Sequence, residues 1–425
     1  MSRQCGECNT LVGWVVLRTL ASKATWLSRP VWLIAMSAFC ADLGYQAVLA
    51  VFPLFLVLRL HASVALFGIA MAVAYGPGAL AGYVGGRVGD RTGRKRAAIW
   101  GNAFIPLLSL IGAASGAVTA MTLLATGWWA RNFRSGPRRA MLTEVVTPEN
   151  QGKAFGFLHA LDVGGGTLAA IYAFLMVAVL VPYRIVLLVT MVPLVASTIV
   201  LLPVRAGLQR PSAEPSASRA AEPSRPSPSS NRSIYRAVLI ATALYGFSSY
   251  SAGFPILTIA QGTKSGALGV LSYVIFLGVS AATGLFAGRW AKSAARSLSL
   301  FGYLAAGVGS AGIAVSYALH WGVIGMYLAM AVLGFALGVI ETLEPTLIAK
   351  LAPGAKTSGG MGSLLASRST GLFVANIILG ILYHFGPEYS YAYATAMAIC
   401  GALVLLTVDQ RVRRRPSPAV PATAA

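Results

Sequence analysis

Twelve apolar windows, each about 20 residues or longer, follow one another along this chain and leave it few ways to fold. They run roughly over 31–58, 62–84, 97–116, 119–141, 154–179, 183–203, 236–259, 267–288, 297–317, 321–344, 359–384 and 389–408. With 56% hydrophobic and only 11% charged residues, the chain is too apolar for a water-soluble globule, where about a quarter of residues are charged. In hydrocarbon a backbone must satisfy its own hydrogen bonds, so each window is expected as a transmembrane α-helix. The short alternating segments of a membrane β-barrel do not occur. The fold class is therefore an all-α polytopic membrane protein, with the lipid bilayer as its surroundings.

A net charge of +21 invites a nucleic-acid reading, and its distribution argues against one. If the N-terminus is cytoplasmic, then of the 33 Lys and Arg only Arg59, Arg184 and Lys264 fall on the far side, and Arg368 lies within a span. That is the positive-inside pattern. It places both termini in the cytoplasm, in the cell (inner) membrane, and leaves no role for nucleic acid.

Residues 205–235 interrupt the apolar pattern with a Pro/Ser/Ala-rich stretch that cannot bury a core. This reads as a disordered cytoplasmic linker. The domain layout is then a tail at 1–30, a six-helix half at 31–204, the linker, a second half at 236–408 and a basic tail at 409–425. The halves look like copies. GYQAVLAVFP (44–53) and GFSSYSAGFP (246–255) both run from Gly to Phe-Pro, and GRVGDRTGR (86–94) faces GRWAKSAAR (288–296) at the same displacement. A parallel duplication of this kind puts a substrate site near the midplane between pseudo-symmetric halves.

GGRVGDRTGRKR (85–96) packs six charged side chains between two apolar windows. It is expected as a short cytoplasmic loop, its glycines allowing a tight turn and its cations holding it at the inner face. Asp90 is the unexpected member, an acid in a basic turn that invites a specific partner. The run Gly86-x-x-x-Asp90-Arg91-x-Gly93-Arg94-Lys95 resembles the loop 2–3 signature, motif A, of the major facilitator superfamily. Twelve helices in two halves joined by a long linker fit the same superfamily. The resemblance implies that Asp90 contacts the inner end of helix 11 and an arginine of helix 4, bracing the outward-facing state as a conformational latch. The chain departs from the Gly-Pro-x-x-Gly-Gly element of drug–proton antiporters: helix 5 reads GFLHALDVGGGTLAA (156–170).

Ionisable residues inside the windows carry the next layer. Asp42 and Asp162 fall near mid-depth, where a charge costs at least about 2.5 kcal/mol and normally faces a cavity, a partner or a proton path. Asp42 is the first candidate proton carrier. Asp162 is either a second one or fixed in a pair with Arg131 or Arg134. His159, three residues before Asp162, could share its face and relay protons, or pack. At the inner ends of helices 4 and 10 the repeat sets Arg139 opposite Glu344, with Arg131, Arg134, Arg138 and Glu341 close by in sequence. This predicts an inner charge gate. Tyr45, Gln46, Tyr245 and Tyr250 are cavity candidates, as is Arg368, which either pairs with an acid or binds an anionic substrate.

Other signals are weaker. Cys5-x-x-Cys8 is half a zinc site with no second pair, so no metal is expected. Residues 9–27 read as an interfacial helix rather than a cleaved signal peptide. No phosphate-binding Gly-rich loop with a following Lys-Ser/Thr and no nucleophile–base signature stands out, so no cofactor and no enzyme activity are expected. The expectation is a monomeric secondary transporter moving a small molecule, driven by protons through Asp42 or Asp162, as an exporter. The alternative is an importer or facilitator of a small metabolite. A non-transporting receptor is disfavoured by the motif and the membrane acids.

Overall fold

The computed structural model describes residues 26–147, 150–204, 228–351 and 357–413. Among them, twelve long helical segments follow in order. The first six are α1 (Arg29–Leu54, running on through a π turn at Phe55–Arg59), α2 (Val64–Thr92), α3 (Arg94–Ala113), α4 (Ala117–Glu144), α5 (Gln151–Ala178) and α6 (Tyr183–Leu201). The second six are α7 (Pro228–Ser248, resuming at Gly253–Thr263), α8 (Gly266–Ala287), α9 (Ala294–Ala318), α10 (Gly322–Leu351), α11 (Thr357–Leu382) and α12 (Pro387–Arg413). Ten of these segments are long and apolar enough to cross a membrane. α4 falls short in hydropathy because Arg131, Arg134, Arg138 and Arg139 ride on it, and in α11 the apolar stretch is Ala366–Leu382. Large apolar side chains such as Leu80, Val192, Leu285 and Ile324 point outward, as they do where the solvent is lipid.

Local chemistry sets the breaks. Ser63 accepts a hydrogen bond from the Leu66 amide and caps α2, and Ser265 does the same for α8 through Leu268. α7 breaks at residues 249–252 because Pro255 has no N–H to bond the Ser251 carbonyl, which instead takes the Phe254 amide at 3.1 Å. α6 is interrupted at Thr190, three residues before Pro193, for the same reason.

Three expectations are corrected. Residues 85–96 are not a loop: α2 runs to Thr92 and α3 starts at Arg94. Gly93 alone turns the chain, at φ +99°. Of the other glycines, Gly85 lets α4 approach, since a Cβ there would lie 1.9 Å from the Phe133 carbonyl oxygen. The linker ends sooner than residue 235, since α7 begins at Pro228, and α12 continues past residue 408 to Arg413. Cys5, Cys8 and the 9–27 stretch lie outside the described residues, as does the linker at 205–227.

The two halves repeat one packing scheme. α1 packs on α5 and α6, and α7 on α11 and α12; α2 packs on α4, and α8 on α10. Between the halves, α2 meets α11, α5 meets α8, and α1 meets the second part of α7. The apolar core divides unevenly. One cluster joins both halves, running from Ala41 to Leu194 in the first and from Phe254 to Tyr391 in the second. At the end carrying the basic α2–α3 junction there are two separate clusters, Val31–Val204 in the first half and Val238–Leu405 in the second. The halves are fused at one end and parted at the basic end.

Candidate functional site

The fused end is closed by small residues. A Cβ on Gly68 of α2 would lie 2.4 Å from the Asn376 carbonyl oxygen and 3.0 Å from the Gly380 Cα of α11, so the two backbones touch. The Asn376 side chain also accepts from the Ser251 amide at the α7 break, at 3.1 Å. Deeper, the Tyr273 hydroxyl of α8 donates to Gln46 Oε1 of α1 at 2.7 Å, a hydrogen bond from one half to the other.

Below this closure lies a cavity of about 280 Å³ with walls from both halves. Gln46, Tyr75 and Trp128 come from the first half, and Tyr250, Tyr273 and Arg368 from the second. Trp128 meets Tyr45 and Tyr75 edge-on, with ring centroids 5.6 and 5.2 Å apart. Tyr250 is held by Ser310 at 3.0 Å, and Tyr245 stacks on Tyr303 at 4.6 Å. The wall is thus a rigid aromatic surface with a few directed polar groups.

On the first-half side, the Tyr45 hydroxyl donates to Asp42 and in turn accepts from Arg131 Nη2 at 3.1 Å. The guanidinium also lies over the Tyr45 and Trp128 rings, 5.0 and 5.1 Å from their centroids. Asp42 is buried, at 6% exposure, and its negative charge is bridged to the arginine by one tyrosine. Asp162 pairs with Arg138 at 3.3 Å, not with Arg131 or Arg134. Arg134 is 1% exposed, and its Nε and Nη1, like those of Arg138, have no partner among the described residues. His159 lies exposed on α5 and makes no hydrogen bond to Asp162.

On the second-half side, Arg368 of α11 pairs with two acids of α10. Its Nη2 meets Glu341, and its Nη1 lies 3.5 Å from Glu344. Glu344 is 1% exposed and accepts from the Tyr303 hydroxyl at 2.7 Å. Arg139 and Glu344 are therefore apart: Arg139 is exposed on α4, and Glu344 is enclosed within its own half.

The motif residues tie helix ends within the first half. Asp90, on the last turns of α2, lies 3.8 Å from Arg94, and Arg94 bonds Glu144 at the end of α4 at 2.9 Å. Lys95 donates to the Leu202 carbonyl after α6 at 2.7 Å. On α2, Gly86 is half-buried and Arg91 exposed. Among the described residues the ion pair of Asp90 is with Arg94, and the side chains at the inner end of α11, where its expected partner lies, are outside them.

The sequence profile of the Major Facilitator Superfamily matches residues 34–343 and again 238–425. The chain belongs to this superfamily. No curated protein matches it in sequence. Among solved structures of transporters, a D-xylose–proton symporter superposes with a TM-score of 0.72 at 12% identity, covering 90% of this chain and 97% of its own. A point mutant of the nucleoside transporter NupG gives 0.71 at 12%, covering 89% and 99%. A peptide transporter, POT, in complex with sulfate gives 0.68 at 16%, covering 91% and 95%. At these identities the likeness is one of fold. As a superfamily member the chain is an integral membrane protein of a transporter fold.

Several site residues escaped the sequence reading. Arg138 was given no acid partner, and Glu144 was not singled out. Tyr273 and Trp128 had no signal at all, because an aromatic in an apolar window looks the same whether it faces lipid, core or cavity.

Proposed function

We propose that the protein is a secondary active transporter of the cell (inner) membrane, carrying a small molecule by alternating access in exchange for protons, as an exporter. The observation that carries the reading is the cavity between the halves, closed by backbone contact at one end and parted at the basic end. By the positive-inside rule the basic end, with both termini, is cytoplasmic, so a cytoplasmic solute enters directly. The segments 31–204 and 236–408 are the two bodies that rock. The cavity volume falls at the lower edge of the roughly 300–1,000 Å³ usual for ligand pockets, which favours a compact metabolite.

Asp42 is the coupling acid in this reading. Protonation removes the charge that Tyr45 and Arg131 hold between them, and the freed arginine then favours a different partner. A ligand drives a conformational change only through such differential energy between states. Asp162, paired to Arg138, is the second acid of the path, and His159 is the exposed group at its mouth. The motif residues Gly86, Asp90, Arg91, Gly93, Arg94 and Lys95 act as a latch on the inner helix ends.

The test uses purified protein in liposomes loaded with a pH-sensitive dye, challenged with sugars, nucleosides, short peptides and organic cations. One class should move protons against its own direction, and Asp42→Asn should abolish gradient-driven accumulation while leaving downhill exchange. Accumulation that ignores the pH gradient, or survives in Asp42→Asn unchanged, refutes the coupling. Protons and solute moving together would make the protein an importer.

A further inference from the structure

The basic residues on the far side of the membrane number three, Arg59, Arg184 and Lys264. They come from separate helix junctions: the π turn that ends α1, the start of α6, and the turn between α7 and α8. All three line a single cavity of about 560 Å³ at the fused end of the molecule. Two belong to the first half and one to the second. Its other walls include Val177, Leu180, Val181 and Ala267, with Tyr183 beside them.

Two of the three cations sit at helix C-terminal ends, where a positive charge complements the helix dipole. That accounts neither for Arg184, which stands at a helix start, nor for the convergence. None of the three makes an ion pair among the described residues; Arg184 reaches only the Ala114 carbonyl, at 3.3 Å. Lys264 takes φ +55° and Leu180 φ +60°, strained conformations for side-chain-bearing residues that mark two corners of the same cavity. All three are exposed and line the same cavity, so each can present its charge to an anion that enters it.

We propose that this cavity binds a phosphate-bearing anion, held by Arg59, Arg184 and Lys264 across the seam of the two halves. The mix of three cations with an apolar wall fits a phospholipid headgroup, whose glycerol and chains lie along Val177 and Leu180; a free phosphate would use the same donors. The walls meet only while this end is closed. A Cβ on Gly266 would already lie 2.5 Å from the Tyr183 hydroxyl across that seam. A bound anion therefore favours the conformation open at the basic end, which makes the site a regulator of the transport cycle and not part of the central cavity.

The experiment is thermal unfolding of the full purified chain in one detergent, titrated with phosphatidylglycerol, with phosphatidylcholine, and with sodium phosphate against sodium chloride at equal ionic strength. The wild type is expected to be stabilised saturably by phosphatidylglycerol and not by phosphatidylcholine. Arg59→Gln and Lys264→Gln, both exposed positions, should each raise the half-saturating concentration roughly tenfold, the loss of one charge-assisted contact. A matching response to sodium phosphate, with the same loss in the variants, assigns the site to a soluble anion. Equal titrations in wild type and variants, or no anion-specific stabilisation from either source, overturn the proposal.

Discussion

Replacing Arg368 by glutamine removes the one cation that α11 gives to the acids of α10, and the structure sets the size of the effect. The Glu341 partner is half exposed, at 48%, so solvent screens that contact to about 0–1 kcal/mol. Glu344 is different: its side chain is 1% exposed, and without Arg368 its nearest support is the Tyr303 hydroxyl. Breaking a buried pair by removing one partner costs about 3–5 kcal/mol. The 3.5 Å separation and the surviving tyrosine bond put this case at the lower end, about 3 kcal/mol. A cooperative unit of about 150–250 residues, the size of one half, loses about 2–4 °C per kcal/mol, so Arg368→Gln is expected to lower the unfolding midpoint by about 6–12 °C. Tryptophan-fluorescence melts in a single detergent read this directly. Adding Glu344→Gln removes the stranded charge at constant size and should recover more than half of the loss. A drop under about 3 °C, or losses that simply add in the double variant, would refute the pairing as a stabilising element.

Other outcomes follow from the same geometry. Gly68→Val forces α2 away from Asn376 and Gly380, so a cysteine placed at Gln46 should become labelled by an impermeant maleimide from the far side; unchanged labelling would show that the seam tolerates the side chain. Asp90→Asn cuts the charge that joins Arg94 and, through it, Glu144. The variant should insert correctly and bind substrate with little change but turn over very slowly, and normal turnover would rule out the latch. Tyr45→Phe keeps Asp42 and Arg131 and deletes the hydroxyl between them. Fewer protons per solute are expected in a liposome flux assay, and an unchanged ratio would remove Tyr45 from the coupling path.

The fold was legible in the sequence because hydrocarbon leaves an apolar run of 20 residues one structure to adopt. Every window became a helix, and the shared Phe-Pro of α1 and α7 announced a repeat that the packing of α1 on α5 and α7 on α11 repeats in space. The charged stretch at 85–96 misled for a physical reason. Charge marks where a helix leaves the bilayer, not where it stops, and α2 simply runs on into the aqueous layer as far as Gly93. The site was half legible. Ionisable groups inside a span identify themselves by cost, which singled out Asp42, Asp162 and Arg368. The cations that answer the two aspartates lie on α4, so the sequence could not choose Arg138 over Arg131 for Asp162, nor see that Tyr45, one turn from Asp42 on α1, would stand between it and an arginine.

The gate expected between α4 and α10 is the instructive case, because Glu344, the acid the repeat sets opposite Arg139, is engaged within its own half. The parted end is asymmetric in charge. The first half brings Arg131, Arg134, Arg138 and Arg139 against Asp42 and Asp162, and the second brings Glu341 and Glu344 against Arg368. Closure of this end would bring the cations of α4 toward the acids of α10. Glu344 cannot take part without leaving Tyr303 and Arg368 inside its own half. Glu341 also meets Arg368, but it is half exposed at the rim and has room for a second cation, and Arg139 is exposed on α4. The contact that closes this end should therefore be Arg139 with Glu341. An exposed pair is worth about 1 kcal/mol at most, which is about a fivefold shift in the balance between the two states. Arg139→Glu should expose cavity cysteines more from the basic end, and Glu341→Arg should do the same. Combining them restores the pair with reversed signs, and labelling should return toward wild type. If the double variant is as exposed as the sum of the singles, these two residues do not meet, and closure of this end rests on other groups.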